Sequence, residues 1–530
     1  MTSPAAGQAL PVDPDLPLLC LALGVVVLVG VALARRTGLP DPVVLVTVGL
    51  AASFLPNAPV LDLPPDVVFL VFLPPLLYRA SFLTDLATLR RIATPLALLS
   101  VGLVLATAVA VAGVVAALVP GVSFAQGLVL GAVVAPTDPV AASGVFKRLG
   151  APRFVVDLVE GESLINDATA LVLFAVAVEA VVGGRPSVAH TAATLVLSVG
   201  GGVAVGTAIG ALVLLSRTRL SDVGLQLLLT LFTPYAAYVL AERVDVSGVL
   251  AVVVAGLMLG SRGGVFTAAA RLQSAAFWSL LDLVLNAVLF VLLGLQVRRV
   301  VGDTPQLGAH ALALYAVAVV GTVAGVRVLW QFAVPPPVYG LRRLFGRPQA
   351  SSSAAERLVI GWTGMRGAVS LAAALAIPRD VPERALLLFL TIAVVLATLV
   401  LQGTTLPLLL RLTGLSGDAG HEEQERQART ALAEVALARL DELEAQGDIT
   451  ADGAQPLRRV WEQALDRLAE DDDRMPDPEV DLVGLRLELA RVQGEELDRL
   501  RGRDGLHPEV VRELQTELDL QRVRLSDRHG

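Results

Sequence analysis

Residues 124–146 read FAQGLVLGAVVAPTDPVAASGVF, an apolar run interrupted in its middle by Pro136-Thr137-Asp138-Pro139. At 1.5 Å per helical residue the run spans about 34 Å, enough to cross a hydrocarbon layer. Proline lacks the backbone donor, and its ring crowds the carbonyl four residues back, so prolines on both sides of Thr137-Asp138 forbid an unbroken helix. The residues before them are driven towards extended geometry. The stretch therefore predicts an unwound segment with free carbonyls and two half-helix ends. Such backbone survives at membrane depth only where it lines a polar cavity. The fold class that follows is all-α: a polytopic membrane protein with discontinuous core helices.

The rest of the chain has the same character. Its 530 residues have a mean hydropathy of +0.69, with 55% hydrophobic and 17% charged residues, too few charges to cover a soluble domain of this size. Apolar runs of membrane-spanning length give about 13 candidate spans. They lie near residues 17–34, 41–56, 66–83, 95–118, 124–146, 154–182, 190–215, 222–241, 246–261, 275–297, 308–334, 357–378 and 384–411. With the N-terminus outside, the loops holding Arg35, Arg36, Arg90, Arg91, Lys147, Arg148, Arg217, Arg219, Arg342 and Arg343 fall on one side. They outnumber the basic residues opposite, such as Arg185, Arg243, Arg298 and Arg379, so the richer side is cytoplasmic. An odd number of spans puts the C-terminus there too, in a cell membrane. Residues 1–15 contain Asp13 and Asp15 but no basic residue, so no signal peptide is expected.

Past Leu415 the composition turns polar. Residues 422–444 and 480–525 carry apolar side chains at three- and four-residue steps, as amphipathic helices do, with a loop at Asp471, Asp472, Asp473 and Pro476. The expected organisation is a transmembrane domain over residues 1–415 and a cytoplasmic helical tail over 416–530. The formal charge of −8 averages these two parts.

An ionisable side chain at mid-membrane costs about 2.5–3.5 kcal/mol on insertion scales, so each one needs a reason. The sixth span reads GESLINDATA at 161–170. Ser163 and Asp167 are four apart and share a helix face with Glu160, while Glu162 and Asn166 form the neighbouring stripe. An oxygen-rich face opposite unwound carbonyls suits a dehydrated monovalent cation. Desolvation disfavours the charged form of a carboxylate, which lets a buried Asp167 trade a proton for a cation. The twelfth span, GWTGMRGAVS at 361–370, sets Arg366 between glycines that admit close backbone approach. Its expected counter-ion is Glu162; Arg327 in span eleven is a second buried base. Spans five and twelve lie seven apart and so run in opposite directions. That spacing fits inverted repeats of spans 1–6 and 8–13, with span seven between them.

Several chemistries are excluded. The lone Cys20 builds neither a disulfide framework nor a thiolate metal site. His190, His310, His421, His507 and His529 include no HExxH pair. Asp138 stands between Thr and Pro rather than in the glycine-flanked loop of an intramembrane aspartyl protease. A single titratable site also favours exchange over channel conduction. The chain does not read as an enzyme.

The strings APTDPVAA (135–142), GESLINDATA (161–170), VSGVLAVVVAGLMLG (246–260), FWSLLDLVLNAVLFVLLGLQ (277–296) and GWTGMRGAVSLAAALAIP (361–378) occur in this order. With them the chain resembles the monovalent cation:proton antiporters, the family of bacterial sodium/proton antiporters and of animal and plant sodium/proton exchangers. The resemblance implies a dimer-forming scaffold, hence a homodimer in the lipid bilayer, and a moving core of six helices. It implies that Asp167 binds Na+ and H+ in turn, that Ser163, Asp138 and the main chain at Thr137 complete the cation site, and that Asn166 belongs to the ion- and proton-binding set. Glu162 and Arg366 would be a structural ion pair. The Asn166-Asp167 pair is similar to that of the electroneutral branch, implying one-for-one exchange of Na+ (Li+ also) for H+. The same ligands would serve K+, so a potassium/proton antiporter is the alternative. No cofactor beyond the transported ions and no nucleic-acid partner is implied. Two positions depart from the family pattern: Arg79, after LPPLLY (73–78), and Ser279, after Phe277-Trp278, stand where relatives often carry acids.

Overall fold

A computed structural model describes residues 16–37, 41–55, 64–84, 86–183, 188–217, 219–220, 222–261, 268–302, 308–344, 352–416, 419–469, 483–502 and 508–527. Residues 1–15, Arg185 and the expected loop at Asp471–Pro476 lie outside them. Four of the described helices begin where a side chain satisfies the first free amides. Ser123 and Gln126 form a reciprocal capping box, as do Ser353 and Glu356, and Asp222 and Ser247 each accept from the amide three residues on. Eight described helices are long and apolar enough to cross a membrane, among them Pro65–Leu83, Arg153–Val182, Ala268–Gly302 and Arg384–Leu412. Val196, Leu197, Leu212, Leu215, Val317 and Leu329 stand exposed on their outer faces. A surface of that kind calls for lipid rather than water.

Lipid gives helices no hydrophobic reason to associate, so close backbone packing must supply the attraction. Glycines do this where helices touch. A Cβ on Gly49 would fall 2.4 Å from Val291 O, and one on Gly294 would fall 2.3 Å from Val46 O, locking Asp41–Ala52 onto Ala268–Gly302. Gly127 and Gly131 fit likewise against the backbone of Ala112 and Ala108, and Gly260 against Phe82 O.

Two spans are broken, as their prolines and glycines predict. One is split into Phe124–Val134 and Val140–Leu149, the other into Ala354–Trp362 and Ala368–Leu375. The two unwound segments meet: the Asp138 N–H donates to Met365 O at 2.7 Å. Beside them runs the acid-bearing helix Arg153–Val182. A π-helical stretch, Leu98–Leu103, interrupts the span Ala93–Leu118 next to it, and Ser100 Oγ there donates to Glu162 O at 3.3 Å.

Beyond residue 415 stand four helices: Ala419–Ala445, Ala451–Ala469, Val483–Gly502 and Pro508–Asp527. They bury small cores of their own, one around Leu440, Leu457 and Trp461, the other around Leu432, Leu497 and Leu514. The helix Ala451–Ala469 is absent from the sequence reading because Gly453 and Pro456 look like breakers. Leu457, Trp461, Ala464 and Leu468 nevertheless repeat at helical spacing and are buried. The last helix also reaches the membrane body. Arg271 grips the buried Asp519 through Nε, at 2.6 Å, and Nη2, and Arg512 Nη2 donates to Leu83 O at 2.9 Å.

The glycine contacts make a direct prediction. Gly294→Val overpacks a helix crossing and should cost about 1–3 kcal/mol, read as a lower melting temperature in detergent. Gly321→Ala, where nothing lies within 4 Å, should leave it unchanged.

Candidate ion-binding site

Around the crossing, the breaks free carbonyls that a lipid setting leaves without water. Arg366 answers them. Its Nε donates to Val134 O at 2.9 Å, across to the first broken helix, and its Nη1 donates to Gly364 O in its own. Its own amide donates to Thr398 Oγ1 at 3.3 Å. The guanidinium thus ties both breaks together.

The expected Glu162–Arg366 pair is corrected at this point. Glu162, 1% exposed, is clamped by Arg327: Nη1 donates to Oε1 and Nη2 to Oε2 at 2.8 Å, while Nη2 also reaches Thr363 O at 2.7 Å. The physical reason is that Arg366 already serves the carbonyls of the breaks, whereas Arg327 enters from the neighbouring span Ala309–Ala333 with its fork free. Thr137 Oγ1 adds a long contact to Glu162 Oε1 at 3.4 Å.

Asp167 is built differently. It is only 9% exposed, yet it forms no hydrogen bond or ion pair with another described residue. It opens onto a cavity of about 440 Å³ that also takes in Thr137, Asp138, Ser163, Gly367 and Ser370. Asp138 lies against the start of the second half-helix, where a Cβ on Gly367 would come within 1.7 Å of its Oδ2. A carboxylate there faces the positive end of Ala368–Leu375. The cavity thus gathers Asp167, Asp138, Thr137 and Ser163. Asn166 is fully buried behind the wall and donates from Nδ2 to Thr137 Oγ1 at 2.9 Å. Its Oδ1 has no hydrogen-bond partner among the described residues. Glu160, nearer the surface on the Asp167 face, accepts from Ser143 Oγ at 2.8 Å.

The sequence reading missed three charged groups on this cavity, Asp157, Asp282 and Arg512. Asp282, hidden as the single acid in the apolar run 277–296, forms an ion pair with Arg79 at 2.9 Å. An acid inside a span was the available signal. Arg512, from the last helix, stands at the rim, and only its distance along the chain concealed it. Among the described residues no cluster of His, Cys, Asp and Glu could hold a resident metal. The oxygen set of the cavity fits a transported monovalent cation instead.

Comparison with known proteins identifies the family. The family described as sodium/hydrogen exchanger, transmembrane, matches residues 23–412. The chain is 35% identical over 525 residues to an uncharacterized Na+/H+ exchanger of Mycobacterium tuberculosis, covering 96% of each chain. It is 35% identical over 353 residues to the Na+/H+ antiporter NhaP of Pseudomonas aeruginosa, covering 65% of this chain and 81% of that one. Its fold is similar to that of the sodium/proton antiporter MjNhaP1 from Methanocaldococcus jannaschii, with a TM-score of 0.57, 19% identity, and coverage of 76% of this chain and 100% of that one. The broken helices, the membrane-spanning body and these likenesses place the chain among secondary transporters rather than enzymes: it belongs to the sodium/hydrogen exchanger family of monovalent cation:proton antiporters.

Proposed function

We propose that this chain exchanges Na+ or Li+ for H+ across the plasma membrane, electroneutrally and by alternating access, with both ions competing for Asp167. The observation that carries this reading is the contrast between two neighbouring buried acids. Glu162 is neutralised in place by Arg327, while Asp167 lines the cavity with no partner among the described residues. A desolvated carboxylate without a fixed counter-charge must take one up, as a proton or as a cation. Either form leaves the site with the same charge, which makes exchange one for one. Thr137, Ser163 and Asp138 supply the remaining oxygens, hard ligands suited to a small monovalent ion. Asp138 serves also as the anion at the half-helix start, so it holds the crossing while Asp167 cycles. Asn166 positions Thr137 without touching the ion. Glu162, Arg327 and Arg366 form the brace. The names of the relatives favour Na+ over the K+ alternative.

In this reading residues 1–415 form the transmembrane domain of a homodimer, with the N-terminus outside, and 416–530 form a cytoplasmic tail. The excess of basic residues on one side supports that orientation.

Proteoliposomes loaded with a pH dye test the central claim. Na+ or Li+ added outside should move protons in wild type without generating a membrane potential, and Asp167→Asn should fall to the protein-free background. A persisting signal in that variant sinks the single-carboxylate mechanism, and a larger response to K+ than to Na+ reassigns the cation.

Gly367→Ala should also abolish exchange although it removes no ligand, because the new methyl displaces Asp138. Wild-type turnover in that variant would contradict the role given to the crossing. Glu162→Gln leaves Arg327 buried and uncompensated, and should lower stability by about 3–5 kcal/mol, seen as loss of folded protein rather than as an altered half-saturating Na+ concentration.

A further inference from the structure

Arg79 and Asp282 make an ion pair on the wall of this cavity, and it is unlike the Glu162–Arg327 clamp behind it. The clamp is bidentate, almost fully buried, and shares a third bond with Thr363 O. In the wall pair, Arg79 Nη1 meets Asp282 Oδ2 at 2.9 Å, with the side chains 26% and 18% exposed. Arg79 Nε is buried without a hydrogen-bond partner, so the guanidinium is held by one arm. A partly exposed pair held by a single contact adds only about 0–1 kcal/mol to stability. Placing two charges on apolar spans costs more than that on insertion scales. Bracing therefore does not account for the pair. Its position does: both residues line the same cavity as Asp167, Asp138 and Ser163, together with Asn286 one turn beyond Asp282.

We infer that the Arg79–Asp282 pair sets the affinity of the cavity for its cation. Asp282 is a wall carboxylate that would attract an incoming cation, and Arg79 is a tethered counter-ion that cancels this attraction and keeps the site weakly binding and quick to release. The pair works by charge, without touching the ion at Asp167. Unit charges lining one small, partly wet cavity interact by enough to change an apparent affinity about three- to tenfold.

This inference rests on the cavity being the ion path to Asp167, and the experiment separates the two. Half-saturating Na+ is measured in the pH-dye assay for four variants. Arg79→Gln, which unmasks Asp282, should lower it about three- to tenfold; Asp282→Asn, which leaves Arg79 alone, should raise it by a similar factor. Arg79→Gln combined with Asp282→Asn should return it to within about twofold of wild type. Asn286→Asp leaves Arg79 and Asp282 themselves unaltered, adds a negative charge to the same wall beside Asp282, and should again lower the value. That variant carries the test where a neutralised one is lost in folding. A purely bracing pair would shift turnover and yield in the same direction for both single variants and leave half-saturating Na+ unchanged, which overturns the inference. If Asp167→Asn still exchanges, the underlying reading fails instead.

Discussion

The architecture depends on the meeting of two unwound segments inside a bundle otherwise made of helices. Each break strips amides and carbonyls of their helical partners at a depth where water is scarce, and each lost bond costs several kcal/mol unless replaced. The replacements come mainly from the opposite break: the Asp138 amide goes to Met365 O, and the Arg366 guanidinium goes to Val134 O as well as to Gly364 O in its own segment. Neither segment satisfies itself alone. Gly367 must have no side chain for Asp138 to fit, and Thr398 must present its hydroxyl to the Arg366 amide. The crossing is therefore one cooperative unit, and the surrounding spans serve to hold it at that depth.

Charge is distributed around this unit by division of labour. Glu162 and Arg327 form a closed pair one helix away, and Arg366 is consumed by backbone. What remains open to the cavity is Asp167, beside an Asp138 leaning on a helix start. Two neighbouring buried acids thus receive different environments: Glu162 holds a fixed counter-charge, and Asp167 has none among the described residues.

Much of this was legible in the sequence because it follows from local chemistry. Pro136, Pro139, Gly364 and Gly367 announce both breaks, since backbone preference does not depend on what surrounds the chain. The shared face of Ser163 and Asp167 follows from helical periodicity. What was not legible is the choice among distant partners. Glu162 could have paired with either buried arginine, and only the packing of the Ala309–Ala333 span beside the twelfth decides for Arg327. Asp282 was masked by the apolar run that carries it, and its link to Arg79 joins helices some two hundred residues apart. In the tail, amphipathic period gave the helices at 422–444 and 480–525, while Pro456 hid the helix between them.

The reach of the last described helix back to the membrane body has a consequence for biosynthesis. Arg512 and the Leu83 carbonyl it contacts are 429 residues apart, and Asp519 and Arg271 are 248 residues apart. The rim of the cavity is thus finished by a segment that leaves the ribosome long after the helices forming its walls. Throughout that interval the nascent membrane body carries an uncovered Arg271 and an unfinished rim. A ribosome stalled or terminated within the tail would therefore release a membrane bundle whose cavity mouth lacks Arg512.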